Sequence, residues 1–293
     1  QWVPDWSQET TSITYTVNGS IPGPASGPVF QEDDGVDNLR WYAGAQPDGT
    51  FHGFPIYGGE AVIARKGRAL FREVPLKRAI EKFLPLYRED LKTADDRLRD
   101  LKQRSAETES EPFAKEALAD FEKGYGAWKT TRPRDYEFRR RARLAWIERT
   151  RQEARQQATP QEGTSEGAWY WEPKRALEGA ERLAKEAGGD RAACFEAAGA
   201  NTALFRARGY VRAAGAGVQC KALMEPNPEY FDTSLPRTAP QLIRVGRLDR
   251  CIDVRTGTPV LDSLGPNVPH GCTVHRTLWA EMDWKKLAAI LAP

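Results

Sequence analysis

Apolar and polar positions along the chain change their spacing twice. Up to residue 75, short runs such as "SITYTV" and "EAVIAR" are rich in aromatic and β-branched residues, and turn sequences such as "QPDG" separate them. This pattern predicts an antiparallel meander of short strands. From 76 to 101, apolar residues recur every three or four positions, which is the period of an amphipathic helix. Short runs and proline-rich connections return with "LFRARGYVRA", itself a predicted strand.

The first predicted helix begins after Pro75 and carries one narrow apolar seam. Leu91, Leu98 and Leu101 belong to this seam, which is about as narrow as that of a coiled coil. Pro85 should either kink the helix or mark its true start. A seam this narrow is expected to cover only one neighbouring helix.

Two more helices are predicted in the same region. A short one should cover about 112–123 and end at Gly124, and a long one should cover about 135–157. We expect the two long helices to form a charged antiparallel hairpin. In that hairpin the seam of the first helix packs on Leu144 and Ile147.

The last third of the chain mixes helices with short strands. A turn-rich stretch at 158–167 is the best linker candidate, and an amphipathic helix is predicted at 173–187. Another short helix is expected to contain Cys194. The chain should close with a helix at 284–291, for which Asp283 is a natural N-cap.

These elements predict an α+β fold with four segments. An antiparallel β-rich N-terminal region covers 1–75, and the central charged helical hairpin covers 76–157. The linker at 158–167 then leads to a disulfide-stapled mixed C-terminal region at 168–293.

The four cysteines indicate disulfide bonds. Sequential pairing closes the shortest loops, so we predict Cys194–Cys220 and Cys251–Cys272. Each bridge would stabilise the fold by about 3 kcal/mol, because it limits the unfolded chain. The alternative is four reduced thiols.

Disulfides belong to oxidising compartments, so the predicted location is secreted or periplasmic. The chain begins Gln-Trp-Val-Pro, without an initiator methionine or a basic, apolar leader. This fits a mature chain whose signal peptide has been removed, although a trimmed chain would look the same. No apolar run approaches the roughly 18 residues of a membrane-spanning helix, so no span is expected.

Charge is divided unevenly along the chain, although the net charge is only +2. Residues 1–60 contain eight acids and one base, whereas residues 61–160 contain 25 bases and 17 acids. The acidic run "QEDDGVDN" offers oxygen ligands of the kind calcium prefers, but its spacing is not that of an EF-hand loop. A solvated acidic turn is therefore preferred, and the weak calcium candidates are Glu32, Asp33, Asp34 and Asp37.

The stretch "PHGCTVHRTLWAEMDW" at 269–284 resembles a metal or catalytic cluster in composition. It contains His270, Cys272 and His275, with Glu281 and Asp283 shortly after them. No second Cys-x-x-Cys or His-x-x-x-His pair accompanies them, and zinc sites usually show such pairs. We therefore interpret the stretch as a disulfide-bonded loop and predict neither a metal nor another cofactor.

A basic helix and nearby tryptophans supply the candidate binding residues. Between 131 and 155 there are nine bases and four acids, and the chain has nine tryptophans. A secreted chain seldom meets nucleic acid, so a salt-bridged helix face or an anionic-surface contact is preferred. In "GAWYWEP" the favoured structure is a short strand with alternate residues in the core, but exposed rings could stack on sugars or anchor a partner. The candidates are Arg139, Arg140, Arg141, Arg143, Trp128, Trp146, Trp169 and Trp171.

The sequence favours binding or assembly over catalysis. It contains no G-x-S-x-G, H-E-x-x-H, Walker or G-x-G-x-x-G motif. The expected partner is a protein or a second copy, whose acidic 31–37 loop could meet the arginines, and carbohydrate is a second candidate ligand. The alternative function is a carboxylate-dependent hydrolase of polysaccharide or cell-wall material. That enzyme would need two buried carboxyl groups facing each other about 5–9 Å apart.

Overall fold

The computed structural model of the protein describes residues 15–33, 38–186, 191–198, 207, 209–215, 219–236, 238–246 and 279–291. Within them the protein is α+β with antiparallel sheet pairing, as predicted. In this part of the chain, no helix is both long enough and apolar enough to cross a membrane.

The chain folds into two compact units. The first comprises Gln1–Pro75, Ala192–Cys194 and Lys221–Pro293, and the second comprises Leu76–Arg191 and Phe195–Cys220. Residues 158–167, the linker candidate, lie inside the second unit.

Short strands occur in both the N-terminal and the C-terminal parts of the chain. They are β1 (Tyr15–Val17), β2 (Phe30–Asp33), β3 (Asn38–Ala43), β4 (Gly49–Phe51), β5 (Phe54–Tyr57), β6 (Glu60–Ala64), β7 (Phe71–Glu73), β8 (Ala193–Ala197), β9 (Gly209–Ala213), β10 (Lys221–Pro226) and β11 (Leu242–Val245).

The strands form two sheets that mix early and late parts of the chain. One has the order β1-β11-β6-β5-β4, and the other has the order β2-β3-β10-β8-β9 with β7 also paired to β10. The predicted meander is therefore correct for the pairs of consecutive strands β2–β3, β4–β5 and β5–β6. It was wrong for β1, which pairs with β11, and it does not account for the pairing of β3 with β10, because hairpin signals report only local pairing.

Strand β6 explains how the first sheet is buried on both faces. Ala61 and Ile63 point into a cluster that contains Trp279 and Trp284, whereas Val62 between them packs with Tyr230 and other residues on the opposite face. Side chains alternate between the faces of a strand, so a continuous apolar run indicates a strand covered on both sides.

Helices make up most of the second unit. They are α1 (Leu76–Glu109), α2 (Glu111–Tyr125), α3 (Trp128–Thr131), α4 (Pro133–Gln157) and α5 (Ala168–Glu186); α6 (Trp284–Ala289) belongs to the first unit. The prediction that 76–157 is almost wholly helical is confirmed. Pro85 lies inside α1, so it does not mark the helix start.

Local signals account for several helix ends. The Ser110 hydroxyl accepts the Phe113 N–H at the start of α2, and Pro133 opens α4 where no N–H is needed. The Asp283 carboxylate accepts the Lys286 N–H at 3.0 Å, which confirms the predicted cap of α6. Helix α2 continues past Gly124 to Tyr125, so the predicted stop was two residues early.

The one-neighbour interpretation of the α1 seam was wrong. Helix α1 packs against α5 as well as α4 and α2. Small side chains are buried on both α1 and α5, namely Ala94, Ala176 and Ala180. On α4, Ile147 is buried as predicted, but Leu144 is 38% exposed and does not belong to the packed face.

Two local assignments were also wrong. Residues 193–197, predicted as a helix containing Cys194, form strand β8, because Ala193, Cys194 and Phe195 are all buried in a sheet. The aromatic run at 169–171, predicted as a strand, forms the first turn of α5. Its Tyr170 and Trp171 N–H groups donate to the Gly167 carbonyl, so the helix is established before Pro173.

The predicted Cys194–Cys220 disulfide is present. Several other predictions concern residues outside the described part of the chain. They are the Cys251–Cys272 disulfide, the cluster of His270, Cys272 and His275, and the calcium candidates Asp34 and Asp37. Of Asp33 only the backbone, in β2, is described.

Candidate functional site: an arginine–aromatic surface

Arg139, Arg143 and Trp146 share one face of α4. Their spacing of four and three residues places them one above another on a helix. Trp146 is 41% exposed, which is unusual for a side chain of its size. This face meets α2 and α3, which supply the remaining members of the cluster.

Arg139 lies between two aromatic rings from the preceding helices. Its guanidinium carbon is 4.9 Å from the ring centroid of Tyr125 and 5.2 Å from that of Trp128. One guanidinium nitrogen, Nη1, also donates to the Tyr125 hydroxyl at 3.3 Å. Tyr125 ends α2 and Trp128 begins α3, so the chain reversal between α2 and α4 is what assembles this arrangement.

Arg143 repeats the arrangement one turn later. Its guanidinium carbon is 4.3 Å from the ring centroid of Trp146, and its Nε donates to the Ala117 carbonyl at 3.0 Å. The Phe113 ring lies 6.0 Å from the Trp146 ring. Arg143 therefore holds α4 against α2 and also orients the tryptophan.

These contacts surround an open cleft of about 370 Å³. We call Tyr125, Trp128, Arg139, Arg143 and Trp146 the arginine–aromatic surface. All of these except Trp128 line the cleft, together with Asp120, Phe121 and Ala142. Such a surface offers flat apolar rings next to weakly hydrated guanidinium groups. Tryptophan, tyrosine and arginine are the side chains that most often anchor protein interfaces.

A hydrogen-bonded network supports the surface from the side. The Glu122 carboxylate accepts the Tyr136 hydroxyl and ion-pairs with Lys129 Nζ at 2.8 Å. Hydrogen bonds from Lys129 and then Tyr136 lower the pKa of Glu122, and the same bonds to Glu122 raise the pKa of both partners. The network therefore fixes α2 against the start of α4 with Glu122 ionised.

The four predicted arginines do not form one patch. Arg139 and Arg143 line the cleft beside Trp146, whereas Arg140 lines a second shallow cleft of about 360 Å³ with Glu122 and Lys129. Arg141 is exposed and lines neither of them.

Trp169 and Trp171 lie at a different place, at the start of α5. Arg97 of α1 stands over the Trp169 ring, 4.6 Å from its centroid. The Trp171 indole nitrogen donates to the Pro160 carbonyl at 2.9 Å, and Lys174 stands over its ring. Trp171 therefore secures the connection between α4 and α5, while Trp169 borders a separate cleft.

The described residues do not supply the carboxylate pair that the hydrolase alternative needs. Their buried carboxylates are Glu225 in the first unit and Asp90 in the second, so neither unit brings two of them together. Glu225 accepts hydrogen bonds from Trp41 and Arg72, and Asp90 accepts the Ala207 N–H. Among the described residues, no group of three His, Cys, Asp or Glu is placed to hold a metal ion.

The sequence identified only part of the surface. Arg143 and Trp146 are three residues apart on one helix, so spacing could have paired them. Tyr125 and Phe113 were missed, because they meet α4 from another helix and no spacing along the chain reports that contact. Arg97 was missed beside Trp169 for the same reason.

No protein-family model, curated protein or solved structure matches this chain.

Proposed function

We propose that the protein is a binding or assembly protein that acts through its arginine–aromatic surface. The observation that carries the proposal is the placement of Arg139 and Arg143 over partly exposed aromatic rings at an open cleft. The preferred location is secreted or periplasmic, supported by the Cys194–Cys220 disulfide.

The chemistry of the surface favours a protein partner with carboxylates. Burying the aromatic rings against a partner favours binding, because apolar area is removed from water. Guanidinium groups bind carboxylates through paired N–H donors. A cation–π contact is worth about 0.5–1 kcal/mol where it is exposed and more when a partner excludes water. Binding an acidic partner would strengthen contacts that already exist.

A second copy of the chain is the partner we propose. The N-terminal 60 residues carry eight acids and one base, so the same molecule offers the complementary charge. Exposed Glu32 belongs to that acidic segment. Opposite charges on one chain allow copies to associate head to tail.

Sedimentation velocity over a range of protein concentrations tests this proposal. The wild type should associate as its concentration rises, and added salt should weaken the association because surface charges are screened. Arg139→Glu should weaken it about tenfold or more, since it removes two cation–π contacts and repels the acidic partner. Trp146→Ser should weaken it without a change in charge.

Arg104→Glu is the matched control. Arg104 is an exposed arginine on α1 outside the surface, so its reversal changes the net charge equally and should leave association unchanged. A wild type that remains monomeric at all concentrations would contradict the proposal. If Arg139→Glu and Arg104→Glu weaken association equally, the net charge of the protein controls association and the arginine–aromatic surface does not.

A further inference from the structure

The largest of the clefts described in the second unit lies away from the arginine–aromatic surface. Its volume is about 760 Å³, within the range of small-ligand sites. Residues of α1, the end of α4, the connection at 159–166 and the start of α5 line it. They are Arg97, Leu101, Glu153, Arg155, Gln156, Gln157, Thr159, Pro160, Gln161, Thr164, Glu166 and Trp169.

The connection that forms one wall is held in place by specific contacts. The Thr164 hydroxyl donates to the Gln161 carbonyl at 2.9 Å and accepts the Gly167 N–H at 3.0 Å. A side chain at Gly167 would collide with that same carbonyl oxygen, so the closeness of the turn requires glycine. The Trp171 indole fastens the connection again at Pro160. The wall is therefore preorganised, which lowers the entropy that a ligand must lose on binding.

The polar groups around the cleft balance in charge and differ in hydrogen-bonding character. Two arginines and two glutamates line it, so its lining has no net formal charge. Arg155 is paired with Glu109, which leaves it less available. Within the described part of the chain, the side chains of Glu153, Gln157 and Glu166 make no hydrogen bond to protein.

Trp169 supplies the apolar element of the cleft. Its ring is half-buried, and the Arg97 guanidinium fixes its position. Aromatic faces carry negative quadrupole charge and attract the slightly positive C–H groups of a ligand. Carboxylate and amide oxygens accept hydrogen bonds, while guanidinium and amide nitrogens donate them. Sugar hydroxyls can satisfy both kinds of partner at once.

We infer that this cleft binds a neutral oligosaccharide, with a sugar ring against Trp169 and its hydroxyls bonded to Glu153, Gln157 and Glu166. The site is independent of the proposed association through the arginine–aromatic surface, because it shares no residue with that surface. No chemical step is involved, and the sugar leaves as it entered.

Isothermal titration with defined oligosaccharides tests the inference on the full chain. The probes are cellotetraose, maltotetraose and the tetramer of N-acetylglucosamine, with tetragalacturonate as the acidic counterpart. At least one neutral probe should bind with a Kd of about 1 mM or tighter. Its affinity should be insensitive to salt and should exceed that of the acidic probe.

Variants then locate the binding. Trp169→Ala should weaken it about tenfold, whereas Trp169→Phe should retain part of it. The double variant Gln157→Ala/Glu166→Gln changes only exposed side chains, so it keeps the fold and should weaken binding severalfold. Trp146→Ala, at the other surface, is the control and should bind as the wild type does.

Four results would overturn the inference. Three are no binding by any neutral probe, stronger and salt-dependent binding of the acidic probe, and unchanged affinity in the Gln157→Ala/Glu166→Gln variant. The fourth is loss of binding in the Trp146→Ala control, which would place the sugar at the arginine–aromatic surface. None of these outcomes depends on whether copies of the chain associate.

Discussion

Replacing Tyr87 by phenylalanine should destabilise the helical unit although the ring is kept. Tyr87 on α1 is fully buried. Its hydroxyl donates to the Gly209 carbonyl at 3.1 Å and accepts the Val211 N–H at 2.9 Å, so it joins α1 to β9. Burial raises the pKa of Tyr87 far above its ordinary value, so the hydroxyl stays neutral and can donate throughout the range of an unfolding experiment.

The magnitude follows from the two backbone groups that lose a partner. A buried polar group left without a hydrogen bond costs about 1–3 kcal/mol. The phenylalanine ring recovers part of this cost, because no hydroxyl must be buried. We therefore expect the free energy of unfolding to fall by about 2–3 kcal/mol.

Urea unfolding, monitored by the far-ultraviolet circular dichroism of the helices, measures this difference in the free energy of unfolding. Tyr125→Phe is the matched control. The Tyr125 hydroxyl makes an exposed contact with Arg139, so its loss should change stability by less than about 0.5 kcal/mol. Equal unfolding midpoints for the two variants would refute the role assigned to the Tyr87 hydroxyl.

Further predictions concern bonds in both units. Cys194→Ala/Cys220→Ala should lower the free energy of unfolding by about 3 kcal/mol, and an unchanged denaturation curve would contradict this. Glu225→Gln, which weakens the buried bonds to Trp41 and Arg72, should cost about 1.5–3 kcal/mol, against almost nothing for exposed Glu229→Gln. The pKa of Glu122 is lower in the folded protein than in the unfolded chain, so ionised Glu122 stabilises the fold at pH values above its unfolded pKa. This contribution to the free energy of unfolding is lost as the pH falls through the folded pKa. The wild type should therefore lose thermal stability below about pH 4.5 more steeply than Glu122→Gln; parallel curves would count against it.

Long amphipathic helices were predictable because their signal is local and repeated. Helix α1 carries many turns of the same pattern, so no single residue decides its assignment. Helix α4 is as regular in the structure, but it buries only Tyr136 and Ile147. Short segments lack that redundancy. The "ACFEA" of β8 has the composition of a helix, and only its burial in a sheet makes it a strand.

The candidate site was predictable where its residues share a helix. Arg139, Arg143 and Trp146 were candidates on the strength of one helical segment. The contact of Arg139 with Tyr125 depends on how α2 folds back on α4. The position of Trp169, away from the arginine–aromatic surface, depends on the packing of α5 on α1. Such contacts arise from tertiary structure, and the apolar pattern of a helix does not state which neighbour covers it.

Oxidative footprinting of the protein at low and high concentration tests most directly whether copies associate through the arginine–aromatic surface. Phe138 and Trp146 are exposed on α4, 73% and 41% respectively, so both should be modified readily in the monomer. At high concentration Trp146 should become protected, since association covers the arginine–aromatic surface. Protection should be absent in Arg139→Glu and present in Arg104→Glu. Modification of Trp146 that stays the same at every concentration would contradict the proposed role of this surface.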